Sequence, residues 1–198
     1  MLGLIKKKIS VFFNFLAYFF NRAGFTPLSL TFMSLLLAFF SAFAYYYGRT
    51  DLLVYVVAPS LLLLSGLFDA LDGACARLYR RVTKFGAFMD SMADRFTEIL
   101  IFSSLILGNL CSLEWGLVAL TLSLMVSYAR ARAEAENVGL QGIGLAERPE
   151  RILIISFSSF LRQINLGIIL ISILACLTVV HRIIYFHKQT EQHARPAL

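Results

Sequence analysis

The chain predicts an all-α integral membrane fold: six transmembrane helices preceded by an N-terminal interfacial amphipathic helix. Three observations carry this. Of the 198 residues, 59% are hydrophobic and 15% charged, and the mean hydropathy is +0.75, values of a multi-span membrane protein and not of a water-soluble globule. The apolar residues come in runs suited to crossings of about 20 residues, divided by short polar turns. The charged residues gather at the ends of those runs, where charge reports either topology or function.

The elements follow in order. Lys6, Lys7 and Lys8 precede an apolar stretch interrupted by Asn14, Asn21 and Arg22. No small-residue cleavage site follows it, so it is not read as a signal peptide. Lysines toward headgroups and Phe and Leu toward lipid make residues 1–23 an interfacial helix. Thr26 can cap the first span and Pro27 is well placed at its start. The expected spans are 28–47, 52–79, 86–107, 115–135, 149–161 and 166–186, all within one domain over 24–188, and a polar tail fills 189–198. The fifth is short for a full crossing and must tilt, begin in the polar stretch before it, or lie buried among other helices. Cys75, Cys111 and Cys176 are scattered and odd in number, which excludes a disulfide framework or a metal-spaced set.

Charge sets the orientation. With six spans and the N-terminus inside, the cytoplasmic segments hold Lys6, Lys7, Lys8, Arg22, Arg80, Arg81, Lys84, Arg130, Arg132, Arg148, Arg151, Arg182 and Lys188, against Arg49 and Arg162 opposite. This is the positive-inside asymmetry, and it accounts for the net charge of +6 without nucleic acid as a partner. It places the multi-pass chain in the cell membrane with its polar site facing the cytoplasm.

That site is written in residues 68–95. Asp69 and Asp72 are three apart, and Asp90 and Asp94 four apart. On helices each pair shares a face. Two neighbouring helices then aim four carboxylates at one spot, at the ends of apolar segments where a charge is a functional hypothesis by default. Such carboxylates repel unless protonated or bridged by cations. An all-oxygen set without His or Cys favours Mg²⁺, Mn²⁺ or Ca²⁺ over zinc. Gly73 and Gly86 leave room for a bulky ligand or another backbone.

Asp69-x-x-Asp72-Gly73-x-x-Ala76-Arg77, eight residues, then Gly86-x-x-x-Asp90-x-x-x-Asp94 resembles the complete signature of the CDP-alcohol phosphotransferase family. The resemblance implies a membrane enzyme that moves a phosphatidyl-type group from a CDP-linked lipid to an alcohol and releases CMP. It implies Mg²⁺ or Mn²⁺, two ions, on Asp69, Asp72, Asp90 and Asp94, with Asp94 also the base. Contacts to the CDP-lipid are implied for Asp69, Gly73, Arg77 and Thr83, and for Leu28, Ser29, Leu30 and Thr31 at the start of the first span. Members of the family usually form homodimers.

A second constellation concerns the acceptor. Arg130 and Arg132 end the fourth span, and Arg148 and Arg151 open the fifth. Arginine clusters bind dianionic phosphate through paired N–H donors; the alternative is headgroup anchoring. The stretches 127–135 and 144–151 resemble the branch of the family that uses an inositol phosphate as acceptor. That resemblance adds Arg182 to the acceptor-phosphate set and implies archaetidylinositol phosphate, or phosphatidylinositol phosphate, as product. The donor expected is CDP-archaeol, with CDP-diacylglycerol the alternative. Two other functions stand beside this one: the same chemistry with glycerol phosphate as acceptor, and a divalent-cation transporter. The transporter predicts carboxylates near mid-membrane and inverted repeats, neither of which the sequence has.

Overall fold

The structure, a computed structural model, describes residues 13–48, 50–140 and 142–194. Among them every regular element is helical. Helix α1 covers residues 13–22, so Lys6, Lys7 and Lys8 of the expected interfacial helix lie outside the described residues. The remaining helices are α2 (Pro27–Tyr47), α3 (Ala58–Leu78), α4 (Lys84–Leu107), α5 (Leu113–Ala135), α6 (Arg148–Phe160) and α7 (Ile164–Ala194).

Local chemistry sets the helix ends. Thr26 and Ser29 close a capping box at α2: each side-chain oxygen accepts from the other's backbone N–H, at 3.2 and 2.9 Å, and Pro27 fills the first turn, where no N–H is needed. Thr83 caps α4 by accepting from the Gly86 N–H at 3.0 Å. A five-residue π turn, Leu53–Val57, leads into α3 just before Pro59. The proline ring has no N–H and would crowd the carbonyl four residues back, and a wider turn gives it room. The C-termini of α3, α4, α5 and α6 all end the same way. Arg80, Asn109, Asn137 and Arg162 take φ of 54°, 56°, 61° and 58°, and the next N–H reaches back to the carbonyl five residues earlier at 2.7–2.9 Å. These are Schellman turns.

Polarity is distributed inside out. Phe32, Phe39, Phe40 and Phe43 of α2 and Leu166, Leu170, Ile173 and Leu177 of α7 are exposed. Small and hydroxylated residues are buried instead. Ser34 donates to the Ser65 carbonyl at 2.9 Å, Ser41 to the Ala58 carbonyl at 2.7 Å, and the Tyr45 and Ser159 hydroxyls meet at 2.8 Å. Close-packed small residues and interhelical hydrogen bonds within, with apolar faces outside, are how helices associate in lipid. Among the described residues, three helices are long and apolar enough to cross a bilayer by length and composition: Pro27–Tyr47, Leu53–Leu78 and Ile164–Glu191. Helix α6 has 13 residues, α4 carries its charges toward its start, and α5 has Glu114 in its first turn and Arg130, Arg132 and Glu134 toward its end.

Helix α7 runs unbroken past the expected end at 186 to Ala194. The first six positions of the expected polar tail are therefore helical, and residues 195–198 lie outside the described residues. Helix α2 packs against both α3 and α4, α5 lies on α4 and α7, and α6 wedges between α3 and α7. The ends of α3 and α5 and the starts of α4 and α6 thus fall on one side.

Candidate active site

Helix periodicity brings the carboxylates together. Asp69 and Asp72 lie on one face of α3, and α4 places Asp90 opposite. One oxygen from each of Asp69, Asp72 and Asp90 falls within 4.8 Å of the others. Asp72 is buried, and the Thr31 hydroxyl donates to its Oδ2 at 2.5 Å. Three carboxylates this close demand a counter-charge, and their hard oxygens match Mg²⁺ or Mn²⁺. The residues present therefore fit divalent metal.

Asp94, expected among the metal ligands, stands outside this triad. Arg95 meets its Oδ2 at 3.0 Å and Arg148 its Oδ1. Arg148 also reaches Asp69 Oδ1 at 2.6 Å, with its side chain only 10% exposed.

Three adjoining clefts of about 510, 550 and 510 Å³ meet at these aspartates. The first holds Leu28, Thr31, Arg77 and Thr83 beside Asp72 and Asp90. The second shares Asp72, Gly73, Arg77 and Asp90 with the first and adds Asp69 and Asp94. The third shares Asp69 and Asp94 with the second and adds Arg130, Glu147 and Arg148. Asp69 and Asp94 therefore stand between a side lined by the motif's Gly73 and Arg77 and a side lined by arginines. A Cβ at Gly73 would sit 3.1 Å from Arg77 Nη1, so a side chain there would push the guanidinium end aside. Phe13 of α1 lines both the second and third clefts, and Arg81 Nη1 donates to Asn21 Oδ1 at 3.2 Å, fastening α1 to the α3–α4 turn.

Several expected site residues lie elsewhere. Ser29 spends its side chain on the capping box, and Leu30 is fully buried in the core between α1, α2 and α3, so neither lines a cleft. Arg132 is 61% exposed and pairs at 2.6 Å with Glu136, which caps the end of the same helix. Arg130 pairs with Glu134 at 2.8 Å but does line the third cleft. Arg151 and Arg182 are buried and bind protein. Arg151 pairs with Glu98 and donates to the Ala146 carbonyl. Arg182 donates to the carbonyls of Ile143 and Val126 at 2.8 and 2.6 Å and pairs with Glu147 at 3.0 Å.

Together with Thr178, whose hydroxyl oxygen accepts from the N–H groups of Leu145 and Ala146 at 3.0 and 3.2 Å, these arginines fasten the connection that leads to Arg148. Gly144, at φ +139° and against Thr178, gives that connection its bend. Sequence reasoning missed Glu98 and Thr178. Glu98 had a signal, since it continues the four-residue spacing of Asp90 and Asp94; Thr178 had none.

Residues 25–186 match the family model described as CDP-alcohol phosphatidyltransferase. The chain is 35% identical over 193 residues to the archaetidylinositol phosphate synthase of Pyrococcus horikoshii, covering 96% of this chain and 99% of that one. It resembles crystal structures of the Mycobacterium tuberculosis phosphatidylinositol phosphate synthase at 26% identity. One, with CDP-DAG bound, superposes with a TM-score of 0.74 over 88% of this chain and 92% of that one. Another, in complex with manganese and citrate, gives 0.75 over 88% of each.

Proposed function

This chain belongs to the CDP-alcohol phosphatidyltransferase family, and on that premise we propose that it transfers the lipid phosphoryl group of a CDP-linked lipid to myo-inositol phosphate. The products are the lipid-linked inositol phosphate and CMP. The observation that carries this reading is the position of Asp94, which lines the same cleft as Arg130 and Arg148 and, with Asp69, the neighbouring cleft of Gly73 and Arg77. A carboxylate there faces a donor on one side and a phosphate-bearing acceptor on the other.

The roles follow from chemistry. Gly73 lets the donor's pyrophosphate approach the backbone; Arg77 and Thr83 contact the CDP portion, and Leu28 and Thr31 line its far side. Asp69, Asp72 and Asp90 would hold the divalent metal, Mg²⁺ or Mn²⁺ and two ions on our reading, with Asp94 lining the same cleft. Bound there, such ions neutralise the pyrophosphate and the leaving CMP. Arg148 and Arg130 hold the acceptor's phosphate, a task suited to the guanidinium fork. Asp94 accepts the proton of the attacking hydroxyl. That oxygen bonds to the lipid-linked phosphorus as the bond to the CMP oxygen breaks.

CDP-archaeol is the donor we favour, supported by the likeness to the Pyrococcus synthase. The membrane arrangement we propose has six spans, with α4, α5 and α6 crossing beside the three longer helices and α1 lying at the interface. The site faces the cytoplasm, in keeping with the basic residues on its side. Exposed Phe88 and Phe96 on α4 and Leu117 and Val118 on α5 suit a homodimer contact.

The test is CMP release in lipid vesicles with Mg²⁺ or Mn²⁺, comparing myo-inositol phosphate, free inositol and glycerol phosphate, each with CDP-archaeol and CDP-diacylglycerol. Release with inositol phosphate alone is expected. Release with glycerol phosphate alone would refute the acceptor reading and leave the catalytic one intact.

A further inference from the structure

On α4, Asp90, Asp94 and Glu98 recur every four residues and share one face. On α6, Arg148 and Arg151 are three apart. The helices meet in two rungs: Arg148 pairs with Asp94, and one turn deeper Arg151 pairs with Glu98. Only the first rung lines the acceptor cleft. The Glu98 and Arg151 side chains are 6% and 3% exposed. Arg151 Nε donates to Glu98 Oε1 at 3.0 Å, Nη2 turns to the same oxygen, and Nη1 donates to the Ala146 carbonyl, two residues before Arg148. One buried carboxylate thus orients the guanidinium that holds the backbone from which Arg148 projects.

A buried ion pair is a weak device for stability, because well-packed apolar residues often do as well. What it supplies is direction, since a planar fork accepts few approaches. We propose that Glu98 is a positioning residue for the acceptor: acting through Arg151, it fixes the Ala146 carbonyl and the first turn of α6, and so aims Arg148 at the acceptor's phosphate. This rests on Arg148 binding that phosphate. Glu98 itself touches no substrate. The donor side of the site is built from α2, α3 and the first turns of α4, and meets this chain of contacts only where Arg148 pairs with Asp69 and Asp94.

The test uses the full chain in lipid vesicles. Glu98→Gln keeps the side-chain volume and removes the charge. The KM for the phosphorylated acceptor should rise roughly tenfold or more, while the KM for the CDP-lipid stays within about twofold, because a small misplacement is felt where the geometry is used. Arg151→Lys should act the same way, since an ammonium lacks the fork that binds Glu98 and Ala146 together. Glu98→Asp should recover part of the loss. In an Arg148→Lys background, Glu98→Gln should raise the acceptor KM no further.

An unchanged acceptor KM, an equal rise in both KM values, or a full additional effect on top of Arg148→Lys would each overturn the proposal. Should Glu98→Gln fail to accumulate in the membrane, Arg151→Lys carries the same comparison. If the unaltered chain uses glycerol phosphate and not inositol phosphate, the functional reading falls, while Glu98 is still judged by the KM for that acceptor.

Discussion

On the roles proposed above, a single aspartate separates a binding site from a catalyst. Asp94 carries Arg95 on one oxygen and Arg148 on the other, which holds the carboxylate in one orientation. Asp94→Asn keeps the shape and removes the basic oxygen. It should lower kcat by roughly a hundredfold or more, the ordinary worth of a general base, with CDP-lipid binding retained. Chelation should abolish CMP release and Mn²⁺ or Mg²⁺ restore it, because Asp69, Asp72 and Asp90 would otherwise face the pyrophosphate bare. Gly73→Ala puts a methyl 3.1 Å from Arg77 Nη1. The guanidinium end can move aside, so the thermal midpoint should hold while the KM for the CDP-lipid rises. These residues were legible in the sequence because carboxylate spacing and a missing side chain are local properties. The commitments of Ser29 and Leu30 were not, because a helix's first turn has one side facing the cleft and another facing cap and core.

At the level of elements, four consecutive helices stop with a left-handed residue, and two of those stops use asparagine, which tolerates it. Arg80 and Arg162 do not have that tolerance. Arg80 is exposed and makes the turn between the two halves of the motif. Arg80→Gly should relieve a left-handed penalty of ~1 kcal/mol and raise the thermal midpoint, whereas Arg80→Val should lower it, as read by thermal unfolding in detergent. Several helix starts were readable to within a residue or two, since Thr26, Pro27 and Pro149 signal them locally. The π turn before Pro59 was not read. The connection over residues 142–147 could not be, because it is held by Arg151, Thr178 and Arg182 from helices that follow it in the chain.

Taken whole, the molecule turns aromatic and aliphatic faces outward and hydroxyls inward, and gathers its site at one end of the bundle. The orientation we propose has a direct check. In a background with Cys75, Cys111 and Cys176 replaced by serine, Lys84→Cys should react with a membrane-impermeant maleimide only in inside-out vesicles. Arg162→Cys should react only in right-side-out vesicles. The reverse pattern would place the carboxylates on the outer face and remove them from cytoplasmic substrates.

Sequence alone determined the helical class, the four aspartates with their glycines, and the basic side of the chain. All of these depend on spacing and composition within short windows. Tertiary structure decided which arginines serve the cleft. Arg130, Arg132, Arg148 and Arg151 look equivalent when read along the chain. Yet Arg130 and Arg148 line the cleft, Arg132 faces water and Arg151 is buried against Glu98. The physical reason is direction on one helix and depth on the other. Arg130 and Arg132, two apart, point to different sides of α5, whereas Arg151 shares a face of α6 with Arg148 but sits one turn deeper, past the cleft. Only the packing of α5 and α6 against α3, α4 and α7 sets which position meets the carboxylates.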